Sequence, residues 1–304
     1  VLQVAQQTRV PAGNALAVDR NAFSSLITQR LEAFENFHRV AEVCDTLDAD
    51  GFDCVIVASG PLTDGALVPA LKEIFGQDFL YFFDAVAPIV TAESIDYDSA
   101  FVASRYGKGD ADYLNCPMNK EQYLQFYNAL VSAETVQLKD FENNVFEGCM
   151  PIEVMAKRGE DTMRFGPLKP VGLFDSRKTE KPYAVLQLRK ENRLGTLYNL
   201  VGFQTNLKFG EQKRVFSMIP ALKDAEFVRY GVMHRNTYLN APKFLNRYMQ
   251  LKSNPKLFFA GQITGVEGYM ESALSGIVAG IQAYRATKGL PFAEFPTETM
   301  TGAL

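Results

Sequence analysis

Histidine is nearly absent. His38 and His234 are the only two in 304 residues, which excludes a multi-histidine metal centre and leaves little material for a Ser-His-Asp triad. Cysteine is scarce as well. Cys44, Cys54, Cys116 and Cys149 contain no Cys-x-x-Cys pair. Four widely spaced cysteines in a chain of this length make neither a disulfide framework nor a zinc site, and no metal is expected. No run approaches 18 uncharged apolar residues, so no membrane-spanning helix is expected. The opening residues have neither the basic segment nor the apolar core of a secretory signal, and no initiator Met. The expectation is a cytoplasmic protein whose chain begins partway through a longer one. No Gly-x-Gly-x-x-Gly occurs anywhere.

What is present is ordinary for a globular protein: 47% hydrophobic and 22% charged residues, with 22 Gly and 14 Pro. The length suits two domains, or one large α/β domain with an insertion. Charge is segregated along the chain. Residues 1–152 hold 9 Lys/Arg against 22 Asp/Glu, and residues 153–304 hold 22 against 13. Such asymmetry hints at a polyanion-binding surface, and equally fits two solvated faces of ordinary charge.

Apolar spacing predicts an amphipathic helix over residues 22–37 and another over 119–131. Residues 79–83, 183–188, 196–203 and 226–230 read as strands, 210–218 as a short helix, and 84–118 as turn-rich. A buried strand ending in glycine and followed by a helix occurs twice, at 53–75 and at 256–286. Open α/β sheets place ligands at such strand ends, where glycine admits close backbone approach and the helix start offers free N–H groups. A plain βα turn reads the same way. In the second unit Gly276 and Gly280 lie inside the helix, at a cost of about 1 kcal/mol each, which predicts close packing against a strand or a cofactor.

Cys149 stands two residues before Pro151, and Pro151 suits the first position of a helix. A helix start with Lys157, Arg158 and Arg164 nearby favours thiolate, so Cys149 is a candidate nucleophile or base; a small buried hydrophobe is the alternative. Residues 157–193 hold ten Lys/Arg and five Asp/Glu, with Phe165 and Tyr183 among them and Tyr198 just beyond. Cations grip phosphates and aromatic rings stack on unpaired bases, although a solvated basic face fits too. His234, Arg235 and Asn236 form a polar cluster directly after a short strand.

Longer runs carry a resemblance. Phe146-Glu-Gly-Cys-Met-Pro-Ile-Glu-Val-Met-Ala-Lys-Arg-Gly159 and Arg164-Phe-Gly-Pro-Leu-Lys-Pro-Val-Gly172 are two of them. Leu197-Tyr-Asn-Leu-Val-Gly-Phe-Gln-Thr205, Gly210-Glu-Gln-Lys-Arg-Val-Phe216, Phe227-Val-Arg-Tyr-Gly-Val-Met-His-Arg-Asn236 and Phe258-Phe-Ala-Gly-Gln-Ile-Thr-Gly-Val-Glu-Gly-Tyr269 follow. Together with Arg9-Val-Pro-Ala-Gly13, Ala17-Val-Asp-Arg20 and Gly60-Pro-Leu-Thr63, they make almost the whole chain resemble the flavin- and folate-dependent tRNA uracil-5-methyltransferases of the TrmFO type.

The resemblance implies an α/β fold. An FAD-binding, Rossmann-like domain of glutathione-reductase type, incomplete at its N-terminus, would comprise residues 1–78 and 251–304. An inserted α+β substrate domain would span 79–250. It implies methylation of carbon 5 of a uridine in the tRNA T-loop, with methylenetetrahydrofolate as carbon donor, FAD as cofactor and NAD(P)H as reductant. By motif, Cys149 matches a catalytic cysteine, and Arg20, Gly60, Gly261, Gln262, Gly265, Glu267, Gly268 and Tyr269 match the FAD site. Arg158, Arg164, Lys169, Arg229, His234, Arg235 and Asn236 are the candidates for RNA and folate. The chain departs from the family in lacking the opening Gly-x-Gly-x-x-Gly and the Cys-Ser-Asn-Ser-type cysteine, and in having Asn206 and Phe209 where the family has His and Trp. Alternative readings are a ribosomal RNA uridine as target, a non-catalytic RNA-binding remnant, and a flavoprotein oxidoreductase of small molecules.

Overall fold

The computed structural model describes residues 1–13, 15–76, 79–107, 110–136 and 150–304, with residues 79–83 and 235 described by backbone alone. The chain is of mixed α/β architecture and divides into two compact units. Unit one comprises Val1–Arg39 and Asp84–His234; unit two comprises Val40–Phe83 and Arg235–Leu304.

Unit one begins with α1 (Leu2–Gln7), the short antiparallel pair β1 (Arg9–Val10) and β2 (Ala17–Val18), and α2 (Arg20–Glu32). The sequence reading put residues 1–39 with the strand–glycine–helix segments. Their contacts in the structure are with unit one: Gly13 N–H donates to Asp112 (2.7 Å), Tyr113 donates to the Ala12 carbonyl (3.2 Å) and Arg20 pairs with Glu191 (3.0 Å). These partners lie about a hundred residues or more away, beyond the reach of local periodicity. The helix foreseen over 22–37 starts earlier because Asp19 caps it by accepting from Ala22 N–H, and it ends before Phe34. None of its residues is buried.

β4 (Phe79–Ala85) pairs with β11 (Met233–Leu239), and before β4 in sequence unit two contributes β3 (Val55–Val57) and α3 (Leu67–Phe75). Unit one then builds a six-stranded antiparallel sheet. Its strands are β5 (Ile89–Thr91), β6 (Phe101–Val102), β7 (Tyr113–Met118), β8 (Ala184–Lys190), β9 (Leu197–Leu200) and β10 (Phe227–Arg229), in the order β10-β5-β9-β8-β7-β6. Three of these strands fall in the stretch read as turns. β5 and β6 are too short to show a period, and β7 contains Pro117, a residue that argues against an inner strand. It is tolerated because β6 pairs only with Leu114 and Asn115, so Pro117 lies beyond the reach of β6.

The sheet is closed on one side by α4 (Lys120–Val131) and α7 (Phe209–Phe216), with α5 (Ile152–Lys157) and α6 (Thr162–Phe165) alongside. Asn119 and Gln122 form a reciprocal capping box that starts α4. Tyr123, Phe126 and Leu130 recur at helical spacing on its buried face. Phe126, Phe203 and Phe216 continue that core ring to ring, at 5.9 Å and 5.2 Å.

Unit two adds α8 (Ala241–Phe244), β12 (Leu257–Phe259), α9 (Tyr269–Thr287) and α10 (Met300–Ala303). β12 and β3 are parallel, with Leu257 opposite Val55 and Phe259 opposite Val57. Phe75 packs edge-on against Phe259 and Phe244, at 5.2 Å and 4.9 Å. Gly276 and Gly280 do not mark close packing against a strand: a Cβ at either would meet no described protein atom within 4 Å.

Candidate functional site

The parallel register of β3 and β12 brings the glycine-bearing turns that follow them to the same edge of unit two. Ala260 N–H donates to the Val57 carbonyl (3.0 Å), extending the ladder to the last residue before Gly261. Both Gly60 (φ +80°) and Gly261 (φ +78°) take a backbone conformation that side-chain-bearing residues rarely adopt. At both, a Cβ would enter open space.

Small hydroxyls hold these turns. Thr63 donates to the Gly60 carbonyl (2.7 Å) and Thr264 to the Gly261 carbonyl (2.8 Å). Buried Ser275 accepts from Gly261 N–H (2.8 Å). A cavity of about 80 Å³ opens beside them, lined by Pro61, Thr237, Tyr238, Gln262, Gly265, Val266 and Glu267. Thr237 N–H donates to the Pro61 carbonyl (2.8 Å), which ties β11 to the first turn. α9 starts next to this cavity in sequence, with Gly268 at its cap position and no side-chain cap. Glu271 folds back over Gly268, so that a Cβ there would stand 2.0 Å from a carboxylate oxygen.

Of the residues expected at a flavin, Gln262, Gly265 and Glu267 therefore line one cavity, and Gly60, Gly261, Gly268 and Tyr269 flank its walls in sequence. Thr237 and Tyr238 complete the lining and escaped the sequence reading; their signal was adjacency to the polar run ending at Asn236. Arg20 lies in unit one, exposed and paired with Glu191. The Cβ-free turns and the uncapped helix start fit a flat, polar group brought close to backbone. The cavity is far smaller than the several hundred Å³ that a ligand of cofactor size fills. These residues thus fit one part of a flavin dinucleotide, and Glu271 beside the helix start favours its neutral ring over its pyrophosphate.

Cys149 lies outside the described residues. Directly after it, Met150 is buried, Pro151 takes the cap position of α5, and Ile152 N–H donates to the Gln204 carbonyl (2.7 Å). Glu153 is the unforeseen residue here. Its carboxylate is buried and accepts from Thr205 Oγ1 (2.8 Å) and Asn206 N–H (2.8 Å), and burial raises its pKa. Asn206 also exchanges hydrogen bonds with Val136, through its Nδ2 (2.8 Å) and through backbone (2.9 Å). One side of the 203–207 segment thus holds residue 136 and the other residue 152. Phe209 stacks on Tyr230 at 4.8 Å.

The other cysteines differ in setting. Cys44 is exposed, Cys54 half-buried with its thiol pKa raised by desolvation, and Cys116 fully buried with its pKa pushed up far more by the same cause.

Among the basic candidates, Arg164 is committed to the fold: it donates to the Tyr183 carbonyl (3.0 Å), lies 3.6 Å over the Tyr183 ring and pairs with Asp161. Arg158 is exposed and Lys169 half-buried. Arg229 is half-buried, and its Nε is enclosed without a hydrogen-bond partner. His234 ends unit one, and buried Asn236 belongs to unit two, as does the backbone of Arg235. Among the described residues no group of His, Cys, Asp or Glu is arranged to hold a metal ion, and no helix is long and apolar enough to cross a membrane.

Comparison with known proteins places this arrangement among relatives. The family model described as glucose inhibited division protein A matches residues 1–291. The chain is 58% identical to the methylenetetrahydrofolate–tRNA-(uracil-5-)-methyltransferase TrmFO of Desulforudis audaxviator, over all of this chain and 69% of that protein. It is 57% identical to the protein of the same name from Natranaerobius thermophilus, over all of this chain and 70% of that one. Among solved structures, GidA of Aquifex aeolicus superposes with a TM-score of 0.68 at 15% identity, over 97% of this chain. The chain spans 55% of that protein's length.

Proposed function

The chain belongs to the glucose inhibited division protein A family, and from that membership we propose that it methylates carbon 5 of a uridine in the tRNA T-loop, using methylenetetrahydrofolate and FAD. The observation that carries this reading is identity of more than half, along the entire chain, with the methyltransferases named above. Unit two is read as part of a glutathione-reductase-type FAD domain, and unit one as the substrate domain set into it. The protein meets its tRNA in the cytoplasm.

In this reading the turns at Gly60 and Gly261, with Gln262, Gly265, Glu267 and the start of α9, receive the flavin ring. Bound FAD, kept reduced by NAD(P)H, supplies the two electrons that bring the folate-derived methylene to a methyl. Gly60 and Gly261 serve by having no side chain, which lets the cofactor approach their backbone closely. Uracil carbon 5 is a poor nucleophile until a group adds at carbon 6 or takes a proton. Cys149 supplies a thiolate for one of these roles, and the segment that follows it, from Met150 to Glu153, is itself buried. Exposed Arg158 and the half-buried Lys169 and Arg229 are read as contacts for RNA phosphates.

The test is direct. Protein supplied with FAD, NADPH, deuterated methylenetetrahydrofolate and unmodified tRNA should yield deuterated 5-methyluridine at the T-loop, read by mass spectrometry of nuclease fragments. Omission of either folate or flavin should abolish it. Label confined to ribosomal RNA would move the substrate, and no label in any RNA under these conditions would refute the reading.

A further inference from the structure

The largest cavity among those described is not at the glycine turns. It lies wholly within unit one, between residues 103–107 and 170–182, and its volume is about 750 Å³. Tyr106, Phe174, Pro170 and Pro182 give it apolar walls, Ser104 and Lys181 its polar lining, and no carboxylate among the described residues lines it. Two of these rings face solvent: Tyr106 is 59% exposed and Phe174 52%. Rings this exposed leave faces open for a partner.

The site is built rather than incidental. Tyr106 has φ +60°, a conformation costly for an aromatic residue. Its N–H donates to the Gly172 carbonyl (2.7 Å). Its ring lies where a Cβ on Gly172 would stand, 2.8 Å away, so only glycine at 172 lets the ring sit there. Arg105 pins the opposite wall by donating to the carbonyls of Lys169 (3.0 Å) and Val171 and to Gln187 (3.3 Å). Lys181, the one charged lining residue, has no ion-pair partner among the described residues.

A second cavity, of about 300 Å³, shares Phe174 with the first and is lined on its far side by Tyr97 and Arg177. Tyr97 is 47% exposed. Arg177 is held by Asp175, which leaves that pair close to neutral. Each cavity therefore offers an exposed ring, with Phe174 between them; the first adds the cation Lys181, and the second is lined by the paired Asp175 and Arg177. A flat uncharged ring linked to an anion, repeated along a chain, is the chemistry of an unpaired polynucleotide strand. The surrounding stretch, 157–193, is basic by ten Lys/Arg to five Asp/Glu.

We propose that these joined cavities are an RNA subsite, in which an unpaired nucleobase stacks on Tyr106 and Phe174 while its phosphate meets Lys181. This rests on the tRNA reading and extends it to a cavity in unit one whose rings, Tyr106 and Phe174, lie outside the motif runs and the glycine turns.

The experiment uses the whole protein and a fluorescein-labelled T-arm hairpin, with affinity read by anisotropy across a series of salt concentrations. Phe174→Ala and Tyr106→Gly should each weaken binding roughly tenfold and leave the salt slope unchanged, because stacking is lost and no charge. Glycine at 106 relaxes the backbone, so that variant keeps its fold, checked by circular dichroism. Lys181→Ala should lower the slope of log Kd against log salt by roughly 0.7, the value for one single-strand phosphate contact. A parent protein that binds no RNA overturns both this subsite and the tRNA reading. A parent that binds while both ring variants match its affinity overturns the subsite alone, and leaves the cavity to a protein partner.

Discussion

Replacing Glu153 tests how the segment that follows Cys149 in sequence is held against residues 205–206. The carboxylate is 1% exposed and its two oxygens each receive one buried donor, Thr205 Oγ1–H and Asn206 N–H. Glu153→Ala strands both donors. An unsatisfied buried donor costs about 1–3 kcal/mol, and removal of the desolvated charge offsets part of this, so the expected loss of stability is about 3 kcal/mol. Glu153→Gln keeps an oxygen for Asn206 N–H and turns its amide to Thr205 Oγ1, with an expected loss of about 1 kcal/mol.

The pH dependence separates these effects from mere loss of packing. Burial holds the Glu153 pKa above its ordinary value of 4.5. Between that value and the raised one, the folded protein keeps a proton that the unfolded chain has released. The contribution of Glu153 is therefore complete below the ordinary pKa and is lost as pH rises through the raised one. Glutamine does not titrate. The stability of the parent minus that of Glu153→Gln should then be largest in acid and should shrink on going toward neutral pH, by at most about 1.4 kcal/mol per pH unit. Urea denaturation at closely spaced pH values measures it. A difference that stays constant, or grows as pH rises, would refute the assignment of a desolvated carboxyl at this position.

Gly261→Ala should cost the cofactor-free protein only about 1 kcal/mol, since φ is +78° but the new methyl meets no protein atom, while abolishing the thermal stabilisation by added FAD; equal FAD stabilisation of parent and variant would remove the flavin from this turn. Gly231→Ala should destabilise unit one by about 2–3 kcal/mol, because its Cβ would stand 2.5 Å from the Thr205 methyl and 2.7 Å from the Val86 carbonyl oxygen, as read by chemical denaturation. Iodoacetamide near neutral pH should label Cys149 first and Cys116 last, with Cys44 and Cys54 between, by timed mass spectrometry; labelling of Cys116 ahead of Cys54 would contradict its burial.

What the sequence discloses is mostly local. The capping box at Asn119 and the buried face of α4 follow from residues within four positions of each other. The strand ends at Gly60 and Gly261 are legible for the same reason, since strand, glycine and helix are contiguous. The remote joins were not legible. The link from Gly13 to Asp112 and the hold of Glu153 on Thr205 and Asn206 span 99 and about 50 residues, and nothing periodic announces them. Tyr106 is a third case. The seat of its ring depends on Gly172, 66 positions later, so the aromatic cavity could not be read from Ser104-Arg105-Tyr106-Gly107 alone. Gly276 and Gly280 show the converse: an unusual local choice whose cause is absent from the packing of this chain.

The charge asymmetry illustrates how folding reassigns a linear signal. Cut at residue 152, the chain has an acidic half and a basic half. Grouped by compact unit, unit one holds 23 Lys/Arg and 23 Asp/Glu, and unit two holds 8 and 12. Unit two joins an acidic segment, 40–83, to a basic one, 235–304, and in unit one the acidic excess before residue 152 offsets the basic excess after it, so neither unit has a net positive charge to offer a polyanion. Long-range attraction from net charge is therefore a poor source of RNA affinity for either unit. Several basic side chains are also spent inside the fold, Arg164 on Asp161 and Tyr183, Arg177 on Asp175 and Lys223 on Asp96. Recognition of RNA in the proposed reading must then rest on short-range features: the few cations without carboxylate partners, such as Lys181, and the exposed rings beside them. Stacking does not weaken as salt is raised, whereas phosphate contacts do. A protein of this charge arrangement that acts on tRNA should accordingly bind with a shallower salt dependence than its 22 cations after residue 152 suggest, and a slope matching that full basic count would argue that the acidic segments stand clear of the RNA.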